Sequence, residues 1–346
     1  MGMVQNTHFA VAAQCLPLPN PPPRRDVAAP RVAPPRVLPY IFPIYAGIEL
    51  IPRPGAVCSA LLTLWGSTLA AQPPDTASSG SIRFLPGVPL FPRLTAHVEE
   101  PRTGIRKSFG SSRLKLDIGA AYDLLEWHPA DDTTTALRVG TEFFTYALSS
   151  NANGLRLQVD AADGFFGGHL LYSSMKSSGL TAIRLRILHL SAHFLDGHLG
   201  GGSELWRDGR APIAYSRDFG ELTVLWRRTT GRGHFQLYGG AAYATLIRPT
   251  EINRWSFLAG GEYVDAGPAR NFFGQPCHLY AALHFTLAGI PAWTGTTHIE
   301  TGVRFGSWDR AGTRIYLSYQ AGLESFHQYF DVRENSWGAG IAFDLW

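Results

Sequence analysis

The sequence predicts an all-β protein: a transmembrane antiparallel up-and-down β-barrel of about twelve strands, with an extended N-terminal segment. Ten strands is the alternative count. Three observations lead there. From about residue 112 the chain is a succession of period-2 runs, many of ten or more residues, longer than most soluble strands and suited to a tilted membrane crossing. Charged residues make up only 16% of the chain, against roughly a quarter in a typical soluble domain. No run of about twenty apolar residues occurs, so a membrane crossing would fall to a closed barrel, in which every backbone polar group is bonded within the sheet. A large soluble β-sandwich is the competing architecture, and the run lengths and the export signal described next count against it.

Residues 1–54 are proline-rich and follow no helical or strand period; twelve of the 24 prolines precede position 55. They read as a leader that is disordered or lies upstream of the true translation start. Arg53 then precedes the apolar run Gly55 to Leu69, which ends in Ala70-Ala71-Gln72. A charged flank, an apolar stretch and small residues make 55–71 a signal peptide for export. The 72–102 stretch contains Pro86, Pro89 and Pro92, which forbid a helix or a central strand. It is expected to be an extended periplasmic segment before the barrel or tucked under it.

The barrel is expected over 103–346. Eleven runs are evident: 112–127, 134–148, 155–174, 180–194, 212–227, 233–247, 254–265, 277–288, 296–307, 312–322 and 335–346. Bacterial single-chain barrels have an even number of strands with both termini periplasmic. Thr103 to Phe109 supplies the twelfth. Counting back from the last strand makes Trp308–Ala311 and Thr229–Arg232 periplasmic turns, and Leu195–Ala211 and Leu323–Arg333 extracellular loops. The segment Ala266–Pro276 is long for the periplasmic side on which it falls. Charged residues such as Glu300, Arg304 and Arg314 fit a polar lumen.

The composition narrows the function. The net charge is +3, but residues 1–72 hold five arginines and two acids, leaving 25 basic and 25 acidic residues in the remainder. A neutral body argues against a nucleic-acid partner. Cys15, Cys58 and Cys277 have no zinc or disulfide spacing, and no glycine-rich phosphate loop is present, so no metal or cofactor is implied.

One strand changes character halfway along. Its odd positions run Ile183, Leu185, Ile187, then His189, Ser191, His193; its even positions run Arg184, Arg186, then Leu188, Leu190, Ala192, Phe194. A strand passing from a bilayer core into its rim accounts for that switch. Ile183, Leu185 and Ile187 would face lipid, Arg184 and Arg186 the lumen, and His189 and Ser191 would lie on the lipid face near the outer rim.

The segments 84–102 (FLPGVPLFPRLTAHVEEPR), Asp163–Ser174 (DGFFGGHLLYSS), Ile183–Leu199 (IRLRILHLSAHFLDGHL) and Leu237–Tyr243 (LYGGAAY) together resemble a bacterial family known as a domain of unknown function. That resemblance covers about 84–346 and implies an exported barrel in the cell outer membrane, without an activity. Its most specific part is His189, Ser191, His193 and Asp196; Leu190 and Ala192 depart from the polar residues usual there. The terminal Trp346 resembles the aromatic signal read by the barrel-assembly machinery, although it shares its face with Asp344 instead of the apolar set. The triplet His189-Leu190-Ser191 is similar to the His-x-Ser of outer-membrane phospholipase A and lipid A deacylase.

Two functions follow. The first is a noncatalytic outer-membrane barrel, structural, a narrow channel or a small-ligand binder, in which His189, Ser191 and His193 form a polar network. The second is a membrane-embedded serine esterase acting on the acyl chains of phospholipid or lipid A. There Ser191 is the nucleophile, His189 the base and a third residue orients the base. Asp160 is the candidate for that third role; Gln158, Ser216, Asp218 and Asp196 are alternatives, because a one-residue register slip reverses every face. His193 and Asp196 are candidate binding residues. His189 and His193 are four residues apart on a strand, about 13 Å, too far to share one metal ion.

Overall fold

A computed structural model describes residues 80–346, apart from 153–155, 200–205, 207–208, 266–270, 273, 291 and 346. The leader, the signal peptide and Trp346 lie outside the described residues. The strands are β1 (Ser81–Phe84), β2 (Thr103–Ser108), β3 (Arg113–His128), β4 (Thr135–Ala152), β5 (Arg156–Lys176), β6 (Gly179–Phe194) and β7 (Tyr215–Thr230). They continue as β8 (Gly233–Arg248), β9 (Trp255–Asp265), β10 (Asn271–Phe272), β11 (Gln275–Ile290), β12 (Ala292–Phe305), β13 (Gly312–Leu323) and β14 (Arg333–Asp344).

Twelve of these close into one antiparallel barrel. Each strand from β2 to β9 pairs with the next, β9 with β11, and so on to β14, which returns to β2 from Gly338↔Ser108 to Phe343↔Thr103. The expected first strand is therefore present, and it closes the ring. β1 pairs with the last four residues of β3 and β10 with the start of β11; neither joins the circuit. The chain enters β2 and leaves β14 at one end, here the entry end, where the turns 129–134, 177–178 and 231–232 also lie. β9 ends and β11 begins at this end too. β6 ends and β7 begins at the opposite, loop end, where the connection 324–332 also lies.

The side chains are arranged opposite to those of a soluble barrel. Ile118, Phe143, Ile187, Leu222, Leu237, Leu283 and Ile315 project outward and are exposed, whereas Arg186, Arg304 and Arg314 are at most 1% exposed in the interior. Alternation alone produces this, since successive side chains point to opposite faces. An apolar exterior and a charged interior suit a lipid solvent.

Of the segment expected before or under the barrel, the part from Phe91 to Glu100 lies within it. Phe91, Leu94, Thr95, Ala96, His97 and Glu100 are buried. Phe91 and Leu94 pack with Leu171, Ala182, Leu225, Tyr238 and Leu258 from five strands. This plug carries carbonyls that proline-broken backbone cannot pair internally, and the wall supplies donors. Gln236 donates to Arg93 O at 2.8 Å, Arg186 to Glu99 O at 2.9 Å, and Arg138 to Val88 O. Arg102, at the end of the plug, donates back to Thr95 O and His97 O at 2.8 and 2.9 Å. Charges lock the same contact: Glu100 pairs with Arg184, Arg93 with Asp344 at 2.9 Å, Arg102 with Glu300 at 3.4 Å, and Thr95 donates to Glu262.

The loop 324–332 covers the loop end. Gln328, 1% exposed, donates to Ala192 O and Ile213 O at 2.7 and 2.9 Å and accepts from Ile213 N. His327 joins three parts of the molecule. Its Nδ1 lies 2.8 Å from Asp163 Oδ2, its backbone N–H donates to the same oxygen, and its Nε2 lies 3.5 Å from Glu99 Oε1 on the plug. Burial alone would lower the imidazole pKa, but the bonds and charges of Asp163 and Glu99 outweigh it and raise it to about 9.

Two predictions follow from this packing. Glu100→Ala leaves Arg184 without its principal partner in the lumen and should cost about 3–5 kcal/mol. The readout is the urea midpoint of the refolded protein, and an unchanged midpoint would mean the plug is not bonded into the wall. The second concerns pH. A pKa raised on folding stabilises fully below the unfolded value and ceases to do so as pH rises through the folded value, so His327 should release the loop as pH climbs through about 9. Glu324 at the base of the loop acts in the same direction over a lower window. Its burial raises it to about 7, with Arg113 opposing and Glu334 adding. Amide exchange of 324–332 should therefore gain an opening contribution, beyond the intrinsic rise with pH, that builds from pH 4.5 to about 7 through Glu324 and from 6.5 to about 9 through His327. Loss of that increment in His327→Gln would assign it to this contact.

Candidate functional site

β6 is oriented as its pattern change requires. Ala182, Arg184, Arg186, Leu188, Leu190 and Ala192 are buried inside; Leu185 and Ile187 are exposed outside, and His189, Ser191 and His193 continue that outer face. Register then decides which groups meet them. Phe166 on β5 and Asp218 on β7 flank His189, while Gly164 and Ser216 flank Ser191.

His189 Nδ1 lies 2.5 Å from Asp218 Oδ1, and the Phe166 ring lies against the imidazole at 4.8 Å. The carboxylate thus engages the nitrogen nearer the backbone, which leaves Nε2 directed away from it. This is the nitrogen a base would turn to a serine. Ser191 stands two residues on, beside a glycine. A Cβ built on Gly164 would meet only Ser191 Oγ, at 3.9 Å, so the ground next to the hydroxyl is open. No hydrogen bond joins His189 to Ser191, and among the described residues neither Ser191 nor Ser216 uses its hydroxyl in one.

Asp160 is not part of this group. The β4–β5 register shifts between Leu148↔Ala161 and Ser149↔Val159, so Asp160 is the extra residue of a bulge and is buried at 4% exposure. The carboxylate on His189 is Asp218. His193 is exposed beyond Ser191, opposite Ala162, and Asp196 begins a short 3-10 turn over 196–198. The structure does not bring His193 into the His189–Asp218 pair. Among the described residues no group of three or more His, Cys, Asp or Glu side chains is arranged to hold a metal ion.

The sequence did hold a signal for Asp218. The outer face of β7 reads Val224, Leu222, Gly220, then Asp218 and Ser216, which is the same apolar-to-polar change as on β6. Register aligns the two changes, Ile187 opposite Gly220 and His189 opposite Asp218.

The comparisons with known proteins yield nothing for this chain: no family model, no curated protein and no solved structure matches it.

The orientation can be checked chemically. With Cys277→Ser as background, Ser191→Cys in vesicles should react with a lipid-soluble maleimide, and Ala192→Cys should be protected until the protein is unfolded. The reverse pattern would turn the strand inside out and remove the site.

Proposed function

We propose that this protein is an outer-membrane barrel that hydrolyses lipid acyl esters from its lipid-facing surface, with Ser191 as nucleophile, His189 as base and Asp218 as the orienting carboxylate. The observation that carries the reading is the 2.5 Å contact of His189 Nδ1 with Asp218, on the apolar outer face, with Ser191 on the same face of the same strand. Ser191 Oγ attacks the ester carbonyl as His189 Nε2 takes its proton. The C–O bond then breaks, the alcohol leaves with that proton, and water activated by the same imidazole releases the fatty acid. Ser216, directly across from Ser191, is the hydroxyl placed to donate to the oxyanion. The local His-x-Ser similarity to outer-membrane phospholipase A and lipid A deacylase supports the chemistry, and the resemblance to an exported barrel family supports the location. The outward apolar band supports outer-membrane lipid as the surrounding partner, and assembly would use the barrel-assembly machinery.

The channel reading loses support, since the plug and the loop 324–332 occupy the lumen. A noncatalytic structural barrel retains one observation in its favour, the missing His189–Ser191 hydrogen bond. Apo sites often close that bond only with substrate present.

Hydrolysis of phospholipid and lipid A by the refolded protein separates the two. Ser191→Ala, His189→Ala and the double variant should each lose several orders of magnitude in rate, the double little more than either single, because nucleophile and base act as a unit. Asp218→Ala should fall substantially and Asp160→Ala should not. Turnover that survives Ser191→Ala would end the esterase reading.

A further inference from the structure

The row of outward positions through Ser191 continues past β7. Register sets Ser191 opposite Ser216 and Ser216 opposite Arg248 on β8. Strands lie about 4.8 Å apart, so Arg248 stands about 10 Å from Ser191, within the joint reach of a long side chain and a lipid head. Its direction is set by a bulge. The β7–β8 register shifts between Asp218 and Phe219, leaving Thr245 as the extra residue, so the outward set on β8 changes from Tyr243 to Leu246 and Arg248. Arg254 fixes that bulge by donating to Ala244 O at 2.9 Å and to Thr245 O, and the Thr245 hydroxyl donates to Asp218 O at 3.2 Å. The device that orients Arg248 thus holds the backbone of Asp218 as well.

Arg248 is exposed, and among the described residues its guanidinium makes one hydrogen bond, Nη1 donating to Ile247 O at 3.1 Å. No carboxylate pairs with it among the described residues. A guanidinium cannot lose its charge under ordinary conditions and presents a planar fork that matches phosphate oxygens. In a glycerophospholipid the phosphate lies one glycerol unit from the acyl ester.

Resting on the esterase reading, we propose that Arg248 binds the phosphate of the substrate lipid, so that the site takes phosphate-bearing acyl esters in preference to neutral ones. Arg248 is a specificity-determining residue, and Ser191, His189 and Asp218 do the chemistry.

The test uses the full chain in vesicles with three substrates: phosphatidylethanolamine, lipid A and diacylglycerol. The ratio of kcat/KM for the phosphate-bearing lipids over diacylglycerol should exceed one and fall about ten- to hundredfold in Arg248→Ala, with part of it kept in Arg248→Lys. Cleavage of phosphatidylethanolamine but not lipid A assigns the phosphate to a glycerophospholipid; the opposite pattern assigns it to lipid A. A ratio that Arg248→Ala leaves unchanged overturns the inference while the esterase stands. If nothing is hydrolysed, the esterase reading fails separately. Retention of the same lipids by Ser191→Ala protein then decides the Arg248 contact: phosphate-selective retention that Arg248→Ala abolishes supports it, and equal retention overturns it.

Discussion

A guanidinium sealed inside a barrel must be matched by carboxylates, and much of this structure answers to that requirement. Arg186 is 0% exposed and meets Glu142 at 2.7 Å, Glu221 at 3.5 Å and Glu100 at 3.8 Å. Arg314, 1% exposed, pairs with Glu300 at 2.5 Å and Asp344 at 3.2 Å, and Arg304 joins Asp344 too. An unpaired charge in such a place would cost several kcal/mol. The wall alone does not complete the set. Glu100 reaches Arg184 and Arg186 from the plug, and Arg93 and Arg102 of the plug reach Asp344 and Glu300 of the wall. The plug is therefore part of the barrel's charge balance, which distinguishes it from a domain parked in an open pore.

That balance constrains function. The plug and its ion pairs cross the lumen, and His327 and Gln328 are bonded over its loop end. The clefts that remain inside are small or open toward the entry end, where about 860 Å³ lies between the plug and strands including β3, β4 and β5. Three buried histidines, His97, His284 and His298, gather in the interior with ring centroids 4.2 and 6.5 Å apart. His284 spends both nitrogens on Tyr238 and Thr286, as a structural side chain does.

Eleven of the twelve barrel strands and the inside and outside of β6 were legible because each depends on alternation within one strand, and the closing strand Thr103–Ser108 followed from the even strand number of such barrels. Ile187 and Arg186 declare their faces by sequence alone. The choice of Asp218 over Asp160 as the carboxylate beside His189 was not legible, because the apolar-to-polar change on β7 names a partner only once the neighbouring strands are aligned. The β4–β5 bulge makes Asp160 the unpaired, buried residue, and the unbroken β6–β7 register sets Asp218 beside His189. The plug was illegible for a related reason. Pro86, Pro89 and Pro92 excluded a strand, but the donors that let this backbone be buried, Arg138, Arg186 and Gln236, lie on strands far along the chain.

The outer polar patch needs a physical reason of its own. Histidine and aspartate on a lipid-facing strand carry a depth-dependent cost that is smallest near the interface. The chain moderates that cost by position and by pairing. Ser191 lies three residues from the end of β6 and Ser216 one residue from the start of β7, close to the loop end. At the same end the outer faces of β8, β9 and β12 carry Tyr243, Trp255, Phe257 and Trp293 with successive centroids 4.9, 6.2 and 5.8 Å apart, as an interfacial aromatic belt would. His189 and Asp218 satisfy one another, and Phe166 covers the ring. A strand selected only for insertion would extend the series Leu185, Ile187 with further apolar residues, as β7 would extend Val224, Leu222. Both strands abandon the apolar series at aligned positions, and each leaves a serine hydroxyl unbonded there. Insertion alone does not require that coincidence; the reaction proposed for this surface would.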